Sequence, residues 1–225
     1  MVHRRRRATV GAAIVARSAR DLTGTVPRVR IAVLASGSGT ILDAICERGL
    51  PVALVVVDRP CGAVDVAARH GVIAETVERT EFGAAFDRGA YSARLVEVLR
   101  AHDTDLVAMA GFGTILAAPV FDAFGGRIVN THPALLPAFP GWHGVRDALA
   151  HGVKVTGCTV HVATEEVDAG PILAQEAVAV RPDDTEATLH ERIKAVERRL
   201  YPDTLAAVVA DPGVLGRARS LEVSS

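Results

Sequence analysis

Asn130 and His132 stand two positions apart at the end of a short apolar run, Arg127 to Asn130. In an extended segment, residues i and i+2 point the same way, so these two side chains are predicted to converge on one atom. An asparagine amide and a protonated imidazole are both hydrogen-bond donors, which suits an oxygen that becomes negative during acyl transfer. A hydrogen-bonded asparagine beside a surface histidine is the plainer alternative, and the spacing alone leaves it open.

Asp168 lies in the turn-rich stretch Val167-Asp168-Ala169-Gly170-Pro171. A carboxylate near His132 would favour the charged imidazolium. The alternative is a turn aspartate, which is common before Gly and Pro. His161 lies in the middle of a predicted strand, and taken by itself it is more typical of a packed, hydrogen-bonded histidine than of a catalytic one.

A glycine-rich turn, Ser36-Gly37-Ser38-Gly39-Thr40, follows the β-branched run from Val29 to Leu34 and precedes a helical pattern. Glycines let backbone N–H groups approach an anion, and a helix N-terminus adds a favourable partial charge. The turn matches neither the GxGxxG dinucleotide motif nor a Walker loop. It therefore indicates a monophosphate site, with a tight ligand-free turn as the alternative.

Composition narrows the class of protein. The net charge is −1, so there is no global electrostatic case for nucleic-acid or membrane binding. No apolar run reaches the roughly 18 residues that a membrane-spanning helix needs. The three cysteines form no CxxC, and the eight histidines form no HxxxH or HxH pair. We expect a soluble cytoplasmic protein with reduced thiols, acting on small molecules without a bound metal.

The first 27 residues differ from the rest, because they are rich in arginine and lack a strong apolar period. We expect a disordered N-terminal extension over residues 1–27 and a single domain over residues 28–225. A targeting or RNA-binding arm is the alternative for the extension.

The elements that must position these residues alternate between strand and helix in units of about 25–30 residues, which predicts an α/β fold with a doubly wound, mostly parallel sheet. Continuous apolar runs such as Val52 to Val57 are typical of strands buried on both faces. Ligands bind outside the carboxyl ends of such strands. The glycine turn and the segment from Asn130 to His132 should therefore share one rim.

Toward the C-terminus the pattern changes. Thr156 to Ala163 and Pro171 to Val180 are predicted to pair as antiparallel strands. Asp184 is predicted as the N-cap of a long helix through Leu200. An earlier helix, Leu116 to Phe124, is predicted to be broken near Pro119.

The chain resembles the folate-dependent formyltransferases, and within them the phosphoribosylglycinamide formyltransferases, over roughly residues 29–210. The most specific stretch is residues 130–137, Asn-Thr-His-Pro-Ala-Leu-Leu-Pro, followed by Pro-Gly-Trp-His at 140–143. Val-His-Val at 160–162 and Asp-Ala-Gly-Pro-Ile at 168–172 follow at the spacing of the family. The resemblance implies a Rossmann-like formyltransferase fold.

The resemblance also implies an activity: transfer of the formyl group of 10-formyltetrahydrofolate to the amine of 5'-phosphoribosylglycinamide, in purine biosynthesis. Asn130 and His132 would stabilise the oxyanion formed when the amine attacks directly. Asp168 would hold His132 as the cation and help to move protons, and His161 would support this network. This mechanism requires no metal. The oligomeric state is open between monomer and homodimer.

Binding residues follow from the same resemblance. On the substrate side they are Gly39, Thr40 and Ile41 at the phosphate and Glu197 at the ribose, with an exposed helical glutamate as the alternative for Glu197. On the folate side they are Arg88, Gly113, Thr114, Ile115, Leu116 and Asn130. The family often has Ser-Asn at positions 40 and 41, and it usually has Met-Arg at 113 and 114. Thr40 keeps the hydroxyl of that serine. At positions 41, 113 and 114 we expect backbone contacts rather than the family's side-chain contacts.

Three other functions compete with this one. A formyltetrahydrofolate hydrolase shares the catalytic core but uses water as the acceptor and adds a regulatory domain in front of it, for which residues 1–27 are short and polar. A non-catalytic nucleotide-binding module would not require Asn130, His132 and Asp168 in register. A methionyl-tRNA formyltransferase would carry an additional RNA-binding domain after the core, which we do not expect here.

Overall fold

The structure, a computed structural model, describes residues 29–220, which are organised around a seven-stranded sheet in the order β3-β2-β1-β4-β5-β6-β7. The predicted N-terminal extension lies outside these residues. The strands are β1 Ile31–Ala35, β2 Val52–Val57, β3 Ile73–Thr76, β4 Leu106–Met109, β5 Ile128–His132, β6 Val155–Val162 and β7 Ile172–Ala179.

Strands β1 to β5 all run parallel, whereas β6 is antiparallel to both β5 and β7. The predicted mostly parallel sheet with a C-terminal antiparallel pair is therefore confirmed. Strand β5 is parallel to β4 and antiparallel to β6, and the carboxyl end of β5 pairs with residues inside β6. This junction places Asn130 opposite His161.

Helices cover both faces of the sheet. They are α1 Thr40–Glu47, α2 Ala63–Arg69, α3 Arg88–Ala101, α4 Ala118–Phe124, α5 Gly144–Ala150, α6 Glu186–Ala210 and α7 Gly213–Ser220. In β1, Ile31 and Val33 pack into the core beneath α1, α2 and α6, whereas Ala32 and Leu34 pack into the core beneath α3 and α4. A strand with two buried faces has no solvent side, which explains its unbroken apolar sequence.

Helix α6 begins one residue later than predicted. Thr185 is the N-cap: its hydroxyl accepts from the Thr188 N–H, and the Thr188 hydroxyl accepts from the Thr185 N–H. Asp184 instead accepts from the Arg181 N–H and pairs with Arg192. The prediction of Asp184 as N-cap was wrong because the carboxylate is held by a guanidinium two turns into the helix.

The predicted break near Pro119 was also wrong. Helix α4 begins at Ala118, so Pro119 lies in its first turn. The N–H groups of a first turn have no partner within the helix, and a proline there costs no hydrogen bond. The chain from Leu116 to Ala117 is consequently a loop, and this loop reaches the cavity described next.

Candidate active site

A cavity of about 520 Å³ opens at the rim where β4 and β5 end. Phe112 and Leu116, from the loop after β4, contribute apolar surface on one face of the sheet. Lys194 and Glu197 reach the cavity from α6, which packs on the other face. Asn130 of β5 lies in the wall as well, so the cavity joins the two faces at the carboxyl ends of the strands.

Asn130 and His161 form a cross-strand pair between β5 and β6. The His161 Nδ1 lies 3.1 Å from the Val162 carbonyl oxygen, which can only accept, so Nδ1 carries a proton. The His161 Nε2 is then free to accept from the Asn130 Nδ2, 3.2 Å away. An amide nitrogen has a second N–H, and because Asn130 lines the cavity this hydrogen can reach a bound oxygen.

The Asp168 carboxylate lies between His132 and His161, with only 7% of its side chain exposed. Its Oδ2 lies 3.2 Å from the His132 Nδ1 and accepts from the Gly141 N–H at 2.8 Å. Its Oδ1 lies 3.5 Å from the His161 Nε2. Burial alone would raise the pKa of Asp168, but the hydrogen bond from the Gly141 N–H and the charge of His132 lower it overall. The carboxylate is therefore ionised at neutral pH.

His132 has both ring nitrogens engaged by the protein. Its Nε2 donates to the Phe139 carbonyl at 2.8 Å, while its Nδ1 faces Asp168. The expected convergence of Asn130 and His132 on one atom is therefore not formed in this arrangement, although both line the cavity. The reason is the proline-rich loop after β5, which places the Phe139 carbonyl against the ring and cannot be read from β5 itself.

Gly144, at the start of α5, was missed by the sequence analysis. A Cβ at this position would lie 3.0 Å from the His132 Nε2 and 3.1 Å from the Phe139 carbonyl oxygen. Both distances are tighter than ordinary packing, so a larger residue would displace the ring. The only sequence signal was a glycine shortly after the Pro140-Gly141-Trp142-His143 motif.

The glycine turn precedes α1, as predicted. Gly39 has a φ of +78°, and a Cβ there would lie 2.8 Å from the Ala63 Cα and 2.9 Å from the Val66 Cγ2. Only glycine allows α2 to pack this closely. Ile41 lines the cavity, and the exposed Thr40 precedes it at the helix N-terminus.

Glu197 is buried, with 4% of its surface exposed, and accepts from the Thr131 hydroxyl at 3.0 Å. The alternative of an exposed helical glutamate is therefore wrong. Burial raises the pKa of Glu197. His190 and Lys194 also line the cavity. Both were missed, although their spacing of seven and three residues before Glu197 places all three on one helix face.

The structure brings some of the predicted folate residues together. Thr114, Ile115 and Leu116 lie in the cavity wall, next to Phe112. Gly113 lies just behind them, donating its N–H to the Ser36 hydroxyl. Arg88 begins α3, is exposed and is not part of the cavity wall.

Trp142 is the one tryptophan of the chain, and it lies in the cavity wall with 72% of its surface exposed. Within residues 29–220, no helix is long and apolar enough to cross a membrane. The same part of the chain contains no group of three or more His, Cys, Asp or Glu side chains arranged to hold a metal ion.

Comparison with known proteins identifies the family. Residues 29–205 match the formyl transferase family. The chain belongs to this family. The phosphoribosylglycinamide formyltransferase of Mycobacterium tuberculosis is 46% identical over 198 residues, which is 85% of this chain and 91% of that protein. The Bacillus subtilis protein of the same name is 36% identical over 183 residues, covering 78% and 92% of the two chains.

Solved structures of the same family share the fold of this formyl transferase. Glycinamide ribonucleotide transformylase 1 from Symbiobacterium toebii superposes with a TM-score of 0.76 at 46% identity, over 81% of this chain and 88% of that one. Phosphoribosylglycinamide formyltransferase from Bacillus halodurans gives a TM-score of 0.76 at 38% identity, over 81% and 96%. The resemblance drawn from residues 130–137 and their downstream partners is confirmed.

Proposed function

We propose that this formyl transferase moves the formyl group of 10-formyltetrahydrofolate to the amine of 5'-phosphoribosylglycinamide, giving N-formylglycinamide ribonucleotide in purine biosynthesis. The observation that carries the proposal is the Asn130, His132, His161 and Asp168 cluster at the wall of one cavity. The 46% identity to a phosphoribosylglycinamide formyltransferase over most of both chains selects the acceptor.

The cavity suits both substrates. Its volume lies within the range typical of small-molecule sites, about 300–1,000 Å³. Apolar side chains and backbone groups of residues 111–116 fit a flat heterocycle such as that of the folate. Lys194 and the N-terminus of α1 near Ile41 supply positive potential for a phosphate, and Glu197, which lines the same cavity, is assigned to the ribose hydroxyls.

The substrate amine attacks the formyl carbon, and the carbonyl electron pair moves to the oxygen. Asn130 donates its free amide N–H to this oxyanion, and His132 joins it by exchanging the Phe139 carbonyl for the oxyanion at Nε2. Asp168 holds the His132 ring through Nδ1 and supports the positive charge. The carbonyl then re-forms and the bond between the formyl carbon and the folate nitrogen breaks. The His132–Asp168 pair passes the proton lost by the amine to that folate nitrogen, so charges and atoms balance. The folate supplies the formyl group and no other chemistry.

An acceptor-dependence assay tests this proposal. Purified protein should convert 10-formyltetrahydrofolate to tetrahydrofolate only when 5'-phosphoribosylglycinamide is present, with one formylated ribonucleotide formed for each donor consumed. Equal turnover without the acceptor would establish the hydrolase. Binding of both compounds without turnover would establish the non-catalytic module.

A further inference from the structure

Asp58 follows directly after β2 and has no exposed surface. Arg59 binds its carboxylate in a bidentate manner, with Nε and Nη2 each 3.0 Å from one oxygen. The Thr114 hydroxyl donates to the same carboxylate at 2.8 Å. Asp58 does not itself line the cavity.

The Asp58 carboxylate is charged despite its burial. Desolvation would raise its pKa, but hydrogen bonds with Arg59, Ser36 and Thr114 lower it overall. The Tyr91 hydroxyl is buried nearby, and its own pKa is raised by burial and by the Asp58 charge, so it stays protonated. Burying this charge costs free energy unless its hydrogen-bond partners stay in place. The partners therefore resist displacement.

Ser36 and Thr114 connect the Asp58 carboxylate to the loop that follows β4. The Ser36 N–H donates to the Gly111 carbonyl at 3.2 Å, and the Ser36 hydroxyl accepts from the Gly113 N–H at 2.6 Å. The Arg79 Nη1 donates to the Gly113 carbonyl at 3.2 Å. Thr114 is the residue of this loop that both lines the cavity and contacts Asp58. The cavity wall is therefore hydrogen-bonded, through Thr114, to the buried Asp58 carboxylate behind it.

Gly113 shows how closely the loop is fitted. A Cβ there would lie 3.0 Å from the Arg59 Nη2 and 3.4 Å from the Ser36 Oγ. The space behind the loop is thus already filled by the groups that bind Asp58 and the loop backbone. Any shift of Thr114 moves its neighbours Ile115 and Leu116, which form the apolar wall.

We propose that Asp58 is a positioning residue that, through the Thr114 hydroxyl, fixes the loop Gly111 to Leu116 in the shape that binds the ring system of the formyl donor. This inference rests on the proposed function in one respect, namely that this wall takes the folate. Asp58 touches neither substrate; its effect is on donor recognition alone.

The test compares Thr114→Val, which keeps the shape and removes the hydroxyl, with Thr114→Ser, which keeps the hydroxyl. Thr114→Val should raise the KM for 10-formyltetrahydrofolate by about 5- to 50-fold, because it leaves a buried carboxylate short of one donor. The KM for the ribonucleotide should stay within about twofold. Thr114→Ser should restore most of the donor affinity. Asp58→Asn should act in the same direction as Thr114→Val.

The matched control is Thr204→Val, which removes a half-buried hydroxyl that bonds the Leu200 carbonyl within α6. It should leave both KM values unchanged. An unchanged donor KM in Thr114→Val, or an equal rise in both KM values, would overturn the proposal. If Asp58→Asn does not fold, the comparison of Thr114→Val with Thr114→Ser still tests the proposal.

A second readout does not depend on turnover. Amide hydrogen exchange at Gly113, whose N–H donates to the Ser36 hydroxyl, should be at least about fivefold faster in Thr114→Val than in wild type and close to wild type in Thr114→Ser. Unchanged exchange would overturn the positioning role even in an active enzyme. Failure of the proposed function is seen separately, as absence of acceptor-dependent donor consumption by the wild-type protein.

Discussion

Asp168→Asn separates the charge of the cluster from its shape. The asparagine carbonyl oxygen can still accept from the Gly141 N–H, so the loop contact at 2.8 Å is retained. What is lost is the negative charge 3.2 Å from the His132 Nδ1. We expect kcat to fall by about 10²- to 10⁴-fold, the usual contribution of a positioned acid or base.

The geometry supports a loss of this size. Two unit charges 3.2 Å apart interact with about 5 kcal/mol at an effective dielectric constant of about 20. Breaking a buried pair by removing one partner costs about 3–5 kcal/mol. A 10²- to 10⁴-fold loss of rate corresponds to about 2.7–5.5 kcal/mol of barrier, so most of the interaction would have to act in the transition state.

The assay is initial-rate consumption of 10-formyltetrahydrofolate with both substrates varied. KM values should stay within about threefold of wild type, because the change affects the transition state rather than ground-state binding. The control is Asp122→Asn, at an exposed aspartate on α4 away from the cavity wall. An Asp168→Asn protein that folds and keeps more than about a third of the wild-type kcat would refute this account of the cluster.

Three further predictions concern the cavity and the glycine turn. Burial raises the pKa of Glu197, so an ionised Glu197 lowers the free energy of unfolding. Glu197→Gln should therefore unfold at a higher urea concentration than wild type at pH 8. This difference should shrink as the pH falls to 4.5, where Glu197 takes up a proton. A constant difference would contradict the burial argument. Gly39→Ala should lower the free energy of unfolding by about 1–3 kcal/mol, because the backbone would be strained and the added Cβ would collide with α2. The control is Gly37→Ala, whose added Cβ would have nothing within 4 Å. It should change the free energy of unfolding by less than about 0.5 kcal/mol in the same denaturant titration. Lys194→Met should raise the KM for the ribonucleotide about tenfold with little change in kcat, and the exposed Lys154→Met should not; equal effects would remove Lys194 from the phosphate site.

The sequence predicted what depends on local pattern. Apolar runs identified the buried strands, and the alternation in residues 156–162 identified the antiparallel pair. The position of Asn130 and His132 at the rim followed from their place at the carboxyl end of a predicted strand in a mostly parallel sheet. These features could be predicted because the burial and the end of a strand are both encoded in a few consecutive residues.

Contacts between distant segments could not be predicted in this way. The Phe139 carbonyl against His132, the burial of Glu197 and the Asp58 network each depend on how loops and helices pack across the rim. Asp184 shows the same limit at short range, because its bond to Arg192 outweighed its capping propensity. Propensity ranks the local options, but packing selects among them.

The exposed position of Trp142 has a practical consequence for spectroscopy. Because the chain has no other tryptophan, indole fluorescence is emitted from the cavity rim alone. A ligand that enters the cavity should therefore change the intrinsic emission without any attached label. The same indole, already 72% exposed in the native protein, should shift its emission wavelength little on unfolding, so stability is better followed by far-ultraviolet circular dichroism.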